Sequence, residues 1–189
     1  GVRDVEVWEL EAAITPRVVA VAYMATPESQ PPLAEVTAMA HRHRLPVLVD
    51  AAAQLPPAEN LRRFIADGAD LAVFSGGKAI RGPQGTGILC GRRDLVASAA
   101  LQQLDMDVRP ETWRPPDLYR RQETLRGIPH HGIGRGFKVG KEEIVGLLVA
   151  LVLFATLDHA AEQARQEALL VAIRNRLADS PHIRARLLP

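Results

Sequence analysis

Apolar residues fall into short, nearly unbroken runs separated by amphipathic stretches. Val18-Val19-Ala20-Val21-Ala22-Tyr23 is β-branched, short and bounded by Pro16 and Pro27, which predicts a buried strand. From Pro32 to Arg44 the spacing of Leu33, Val36, Met39 and Ala40 predicts a helix with one apolar face, opened by Pro31-Pro32. Pro46 to Asp50 predicts a second strand, apolar until its last residue. Glu59 to Asp67 predicts a short helix closed by Gly68. Leu71 to Ser75 predicts a third strand and Gly85 to Gly91 a fourth. Strands that are apolar throughout are covered on both faces. The order strand, helix, strand, helix, strand therefore predicts an α/β fold with a mostly parallel sheet flanked by helices.

A helix is expected from Asp94 to about Leu104. Asp105 to Pro129 has no clear period and reads as a functional or mobile loop. From Lys141 a long helix runs to about Leu157, with a pattern that extends past Asp158 to Ala178. Ile144 to Leu157 is apolar on nearly every helical face, which argues burial all round, in a core or at a subunit interface. That run is too short for a membrane span, which needs about 20 residues. Both ends of the pattern read as cut, so we expect a fragment of a longer protein.

Composition changes this picture little. Of 189 residues, 47% are hydrophobic and 24% charged, with a formal net charge of +1, so neither disorder nor a generally basic surface is indicated. The single cysteine, Cys90, allows no internal disulfide and suits a reducing, cytoplasmic setting. Its place in an apolar run reads as packing. No His/Cys/Asp/Glu group has metal-ligand spacing, so no metal is expected.

The chemistry collects where the strands end. In parallel sheets, ligands bind beyond the carboxyl ends of the strands, and Asp50 and Ser75-Gly76-Gly77-Lys78 both lie there. Asp50 reads either as a helix cap or salt-bridge partner, or as an anion facing a cationic ring nitrogen of a cofactor. Lys78 reads either as a solvated side chain or as a Schiff-base lysine. Ser75 could bind a phosphate oxygen or only finish a turn. The glycines at 76 and 77 permit unusual backbone angles and close approach. A P-loop is excluded by Ala72 and Ala79, and a nucleophile elbow by Val73.

Two segments together, Val47-Leu48-Val49-Asp50-Ala51-Ala52-Ala53 and Asp70 through Gly85, resemble fold-type-I pyridoxal-phosphate (PLP) enzymes. More closely they resemble the selenocysteine-synthase-like group, which includes L-seryl-tRNA(Sec) selenium transferase and D-glucosaminate-6-phosphate ammonia-lyase. Gly134 to Glu143 is similar to the lyase branch, and the resemblance covers roughly residues 14 to 157. It implies that residues 1–157 are the C-terminal part of the PLP-binding large domain and that 158–189 begin a small domain. It also implies that Lys78 carries the cofactor as an internal aldimine and is the catalytic base. Asp50 would pair with the ring nitrogen, Ala52 would lie against the ring, and Ser75 would touch the phosphate. Where many class V relatives have His or Gln three residues after the aspartate, this chain has Ala53.

The activity so implied is a PLP-dependent lyase acting on an amino acid or amino-sugar acid. The alternatives are selenium transfer to seryl-tRNA, or a truncated homologue that is not catalytic. Relatives are dimers or larger, so a homo-oligomer is expected. Arg135 and Lys138 are candidate contacts to an anionic substrate or a phosphate, or else the solvated start of a helix. His130 and His131 read as proton-transfer groups or as polar loop. The arginines of the 105–129 stretch, interleaved with Trp113 and Tyr119, read as a tRNA surface or as a mobile or oligomer-contact loop.

Overall fold

The computed structural model describes residues 4–120, 127–178, 180 and 182–187. They fall into two compact units, Gly1–Leu151 and Val152–Pro189. The first opens on α1 (Val7–Ala12), where Glu6 and Glu9 form a reciprocal capping box. It continues through β1 (Val21–Met24), α2 (Leu33–Arg42), β2 (Val47–Asp50), α3 (Asn60–Ala66), β3 (Leu71–Ser75), β4 (Gly87–Gly91), α4 (Arg93–Leu101) and the short α5 (Asp117–Arg120). A long helix, α6 (Lys141–Thr156), crosses into the second unit, which holds α7 (His159–Leu177).

The sheet has the order β1-β2-β3-β4. β1, β2 and β3 run parallel, and β4 returns antiparallel to β3. The reversal follows from the connection. Parallel neighbours need a crossover of about a dozen residues or more, usually a helix, whereas β3 and β4 are joined by a turn without one. The fully buried residues include Val36, Met39 and Ala40 of α2, alternate positions of β2 and β3 (Val47, Val49, Ala72, Phe74) and Ala97 of α4. The α3 ring of Phe64 lies 6.1 Å from the Phe74 ring of β3, so α3 covers that face. Leu48, Leu71 and Val73 on the other face are only half-buried, so the two-sided cover expected of apolar strands is complete on one side within this chain.

The amino end of the sheet is fastened by one carboxylate. Asp70 is 7% exposed and accepts hydrogen bonds from the Val47 backbone N–H (2.8 Å), His41 Nε2 (2.9 Å) and Arg92 Nη1 (3.0 Å). It thereby ties the start of β2, the end of α2 and the exit of β4 together.

The helix from Lys141 ends at Thr156, within a residue of the expected Leu157, and the pattern past Asp158 is a second helix, which Asp158 caps by accepting the Ala161 N–H at 3.0 Å. The first strand differs from its expectation: it begins at Val21 rather than Val18, and Val19 is exposed, so it is not a buried strand. Nor is Ile144 to Leu157 buried all round. Of α6 only Phe154 is fully buried, and Val145, Leu148, Val149, Val152 and Leu153 are each more than half exposed. Within this chain one side of the helix has something to pack on: Gly146 sits against Pro83, and Leu147 and Ala150 against Gly82. Among the described residues, no helix is long and apolar enough to cross a membrane.

Candidate functional site

The carboxyl ends of β2 and β3 are neighbours, with Asp50 in register with Val73, so Asp50 and the 75–78 turn share one rim of the sheet. Asp50 is exposed at its strand end. Its backbone carbonyl accepts the Ala25 N–H at 2.9 Å, and the next residue, Ala51, donates to the Val73 carbonyl at 2.9 Å. The ladder thus holds the chain straight up to the carboxylate and then releases it. One carboxylate oxygen accepts the Ala52 N–H at 3.0 Å, which forms a turn with Ala52 half-buried inside it. Among the described residues, nothing engages the other oxygen.

Ser75 closes β3 in register with Gly87. Beyond it the chain folds into a turn pinned at three points. The Gly76 N–H donates to the Thr86 carbonyl (3.0 Å), the Gly82 N–H to the Gly76 carbonyl (2.8 Å) and the Arg81 N–H to the Lys78 carbonyl (2.9 Å). Lys78 stands exposed at the top of this turn, and its amine has no hydrogen-bond or ion-pair partner among the described residues. The two glycines before it are there for close approach alone, since neither has a positive φ. A Cβ on Gly76 would collide with Thr86 Oγ1 and lie 2.8 Å from Leu147, and one on Gly77 would lie 2.7 Å from the Gln84 Cα. Thr86 is itself buried, its hydroxyl donating to the Pro83 carbonyl at 2.6 Å. Thr86, Gln84 and Leu147 therefore position the lysine turn. Sequence reasoning missed all three; the only signal for them was the glycine pair they press against.

The rim has a further pair that the sequence did not single out. After β1, Ser29 Oγ donates to the Met24 carbonyl (2.9 Å) and accepts the Thr26 N–H (2.7 Å), which holds the Thr26–Ser29 loop beside Asp50's strand.

The other candidates separate. Lys138 is exposed and lines a cleft beside Thr86 and Gly87, at the same end of the sheet as Ser75. Arg135 belongs to a different corner, in a 3-10 turn whose approach closes the end of α4: the Gly134 N–H donates to the Gln102 carbonyl (2.8 Å) and the Gly132 N–H to that of Leu104 (3.1 Å). The glycine run is thereby explained by helix-end carbonyls that need donors. His131 has a φ of 50° and donates its backbone N–H to Asp105, and His130 stacks loosely on it at 6.3 Å, so both belong to the loop. Cys90 is half-buried, and burial pushes its thiol above the ordinary range, as for a packing residue. Of the arginine-rich stretch, Arg121 and Arg126 lie outside the described residues. Arg114 is exposed and donates to the Glu111 carbonyl at 2.9 Å.

A carboxylate with an open oxygen, an unpartnered primary amine and a hydroxyl thus stand on one strand-end rim. Those are the three chemistries that a cofactor with a ring nitrogen, an aldehyde and a phosphate calls for, so the donor set fits pyridoxal phosphate.

Comparison with known proteins agrees. The family model described as Aminotransferase class-V matches residues 2–187. The chain is 32% identical over 180 residues to a 5'-C-glycyluridine monooxygenase-decarboxylase of a Streptomyces species, a match covering 93% of this chain and 37% of that protein. It is 30% identical over 148 residues to the D-glucosaminate-6-phosphate ammonia lyase of Salmonella typhimurium, covering 76% of this chain and 31% of that protein. A solved structure of a D-glucosaminate-6-phosphate ammonia-lyase superposes with a TM-score of 0.60 at 28% identity, over 84% of this chain and 35% of that one. A shorter match, 40% identical over 74 residues, reaches the L-seryl-tRNA(Sec) selenium transferase of Desulfovibrio desulfuricans and covers 34% of this chain and 15% of that protein. The chain spans about a third of the length of the first two relatives.

Proposed function

The chain belongs to the class-V aminotransferase family of pyridoxal-phosphate enzymes, and from that premise we propose that it is the cofactor-bearing part of a lyase acting on an amino acid or amino-sugar acid. The observation that carries this reading is the free Lys78 amine on the same rim as the half-engaged Asp50 carboxylate. In this reading Lys78 holds the cofactor covalently, Asp50 faces its ring nitrogen, Ser75 takes a phosphate oxygen and Ala52 lines the ring. Bound there, the cofactor supplies an electron sink for charge developing at the substrate α-carbon. A carboxylate at position 50 keeps a ring nitrogen protonated, and it is freed for that task because its own backbone needs only one of its oxygens. With its amine free, Lys78 would be the base that takes the substrate α-proton at Nζ, and the pinned turn would keep that nitrogen at the rim. Residues 1–157 then form part of the large domain and 158–189 begin the small one, in a cytoplasmic homo-oligomer.

The test is chemical. Protein incubated with pyridoxal phosphate and reduced with borohydride should carry a pyridoxyl group on the peptide containing Lys78, found by mass spectrometry, and Lys78→Ala should lose it. No label in the wild type, or the same label in the variant, refutes the assignment.

A second reading has its own support. The monooxygenase-decarboxylase relative matches more of the chain than the lyase does, 93% against 76%. It replaces ammonia release by oxygen uptake with loss of carbon dioxide from a glycyl group carried on a nucleoside. Supplying D-glucosaminate 6-phosphate and 5'-C-glycyluridine in parallel, and measuring ammonia and oxygen consumption, separates the two. Selenium transfer has only shorter matches behind it, each covering less than half of this chain.

A further inference from the structure

We propose that the cleft between α4, α6 and the start of β4 seats an apolar-bodied group ending in an anion, and that this is the distal part of the substrate. Only the word substrate rests on the cofactor reading; the binding chemistry stands by itself. The cleft has a volume of about 370 Å³, at the small end for ligand pockets, so it suits one arm of a molecule. Its walls are mostly apolar, with Leu104, Val139, Ile144 and Leu147 among them, and its polar side chains are those of Thr86, Gln103, Tyr119 and Lys138. Among the described residues, no carboxylate lines it and the Lys138 amine has no partner. The formal charge they offer a ligand there is therefore positive.

The cleft is joined to the candidate lysine through its wall. Leu147 lines it and also presses on Gly76 and Gly82, the base of the Lys78 turn. Thr86 lines it and accepts the Gly76 N–H. A group bound in the cleft thus shares two residues with the turn that presents Lys78.

The lining ranks substrate arms. Leu104, Val139, Ile144 and Leu147 gain by covering an aryl or alkyl body, which a polyhydroxylated arm does not offer them, and an anionic end meets Lys138. Of the two substrate classes proposed above, the cleft therefore favours the amino acid.

Titrations of 3-phenylpropionate, 3-phenylpropionamide and D-gluconate into the isotope-labelled chain, followed by NMR, test this. Saturable binding of the carboxylate in the millimolar range or tighter is expected, with the amide and gluconate at least about tenfold weaker. Lys138→Gln should erase the preference for carboxylate over amide. Ile144→Trp, at an exposed helix position, should fill the cleft and abolish binding of both. Gluconate binding as tightly as phenylpropionate, a preference that survives Lys138→Gln, or no saturable binding at all overturns the proposal. The pyridoxyl label on Lys78 is read independently. Binding without the label leaves the cleft standing and removes the cofactor reading, and label without binding does the reverse.

Discussion

Asp50 and Asp70 are two aspartates beside the same pair of strands, and the structure gives them opposite work. Asp50 is exposed with one oxygen open, whereas Asp70 is buried with three donors on it. Replacing Asp70 by Ala leaves the buried Val47 N–H without a partner, while the half-exposed His41 and Arg92 return to water. The loss should therefore be about 2–3 kcal/mol, set by the orphaned amide, and read from urea unfolding. Asp50→Asn should stay within about 0.5 kcal/mol in the same assay yet impair cofactor retention. Burial pushes the Asp70 carboxyl up, but hydrogen bonds from His41, the Val47 amide and Arg92 outweigh it and hold the group below its ordinary value. A depressed folded value means the stabilisation is present above the unfolded pKa of about 3.9 and is lost as pH falls through the folded one. Asp70→Asn should accordingly flatten the acid limb of the stability profile. Asp50 was legible in the sequence because a strand turns from apolar to charged at its last residue. The role of Asp70 was not, because its partners lie 22 to 29 positions away and only the folded sheet brings them together.

At the scale of elements, the alternation of apolar runs and amphipathic stretches located β2, β3, α2 and α3 to within a residue or two of each predicted end. It said nothing of α1, whose apolar residues are too few to show a period. It ended α6 within a residue of Thr156 but left open a continuation into α7, because both are helical and only the Asp158 cap separates them. The lysine turn was half legible: glycines announce that something lies close, and only the fold says what. The distinction is measurable. Gly76→Ala puts a Cβ into Thr86 and Leu147 and should cost about 1–3 kcal/mol by overpacking, with weaker pyridoxyl labelling of Lys78. Gly85→Ala, in the same connection between β3 and β4, has open space at its Cβ and no positive φ. It should be nearly neutral when the two variants are compared by thermal melting.

At the scale of the whole molecule, the apolar side of α6 is left uncovered by the described residues, with Val145, Leu148, Val149, Val152 and Leu153 each more than half exposed. A face of that kind on a protein that folds needs a partner. The chain at micromolar concentration should therefore sediment as a species larger than a monomer, and Leu148→Lys with Val152→Lys should return it to one; a monomeric wild type would refute this. The sequence located the apolar run correctly but could not say which of its sides this chain would cover, because cover is a property of neighbours. The last consequence concerns Asp70. It fastens the sheet at the end away from the rim, using residues that have no part in the chemistry proposed there. Substitutions at the rim leave that fastening intact. Strand-end residues and loops can then change, and the reaction with them, without loosening the sheet.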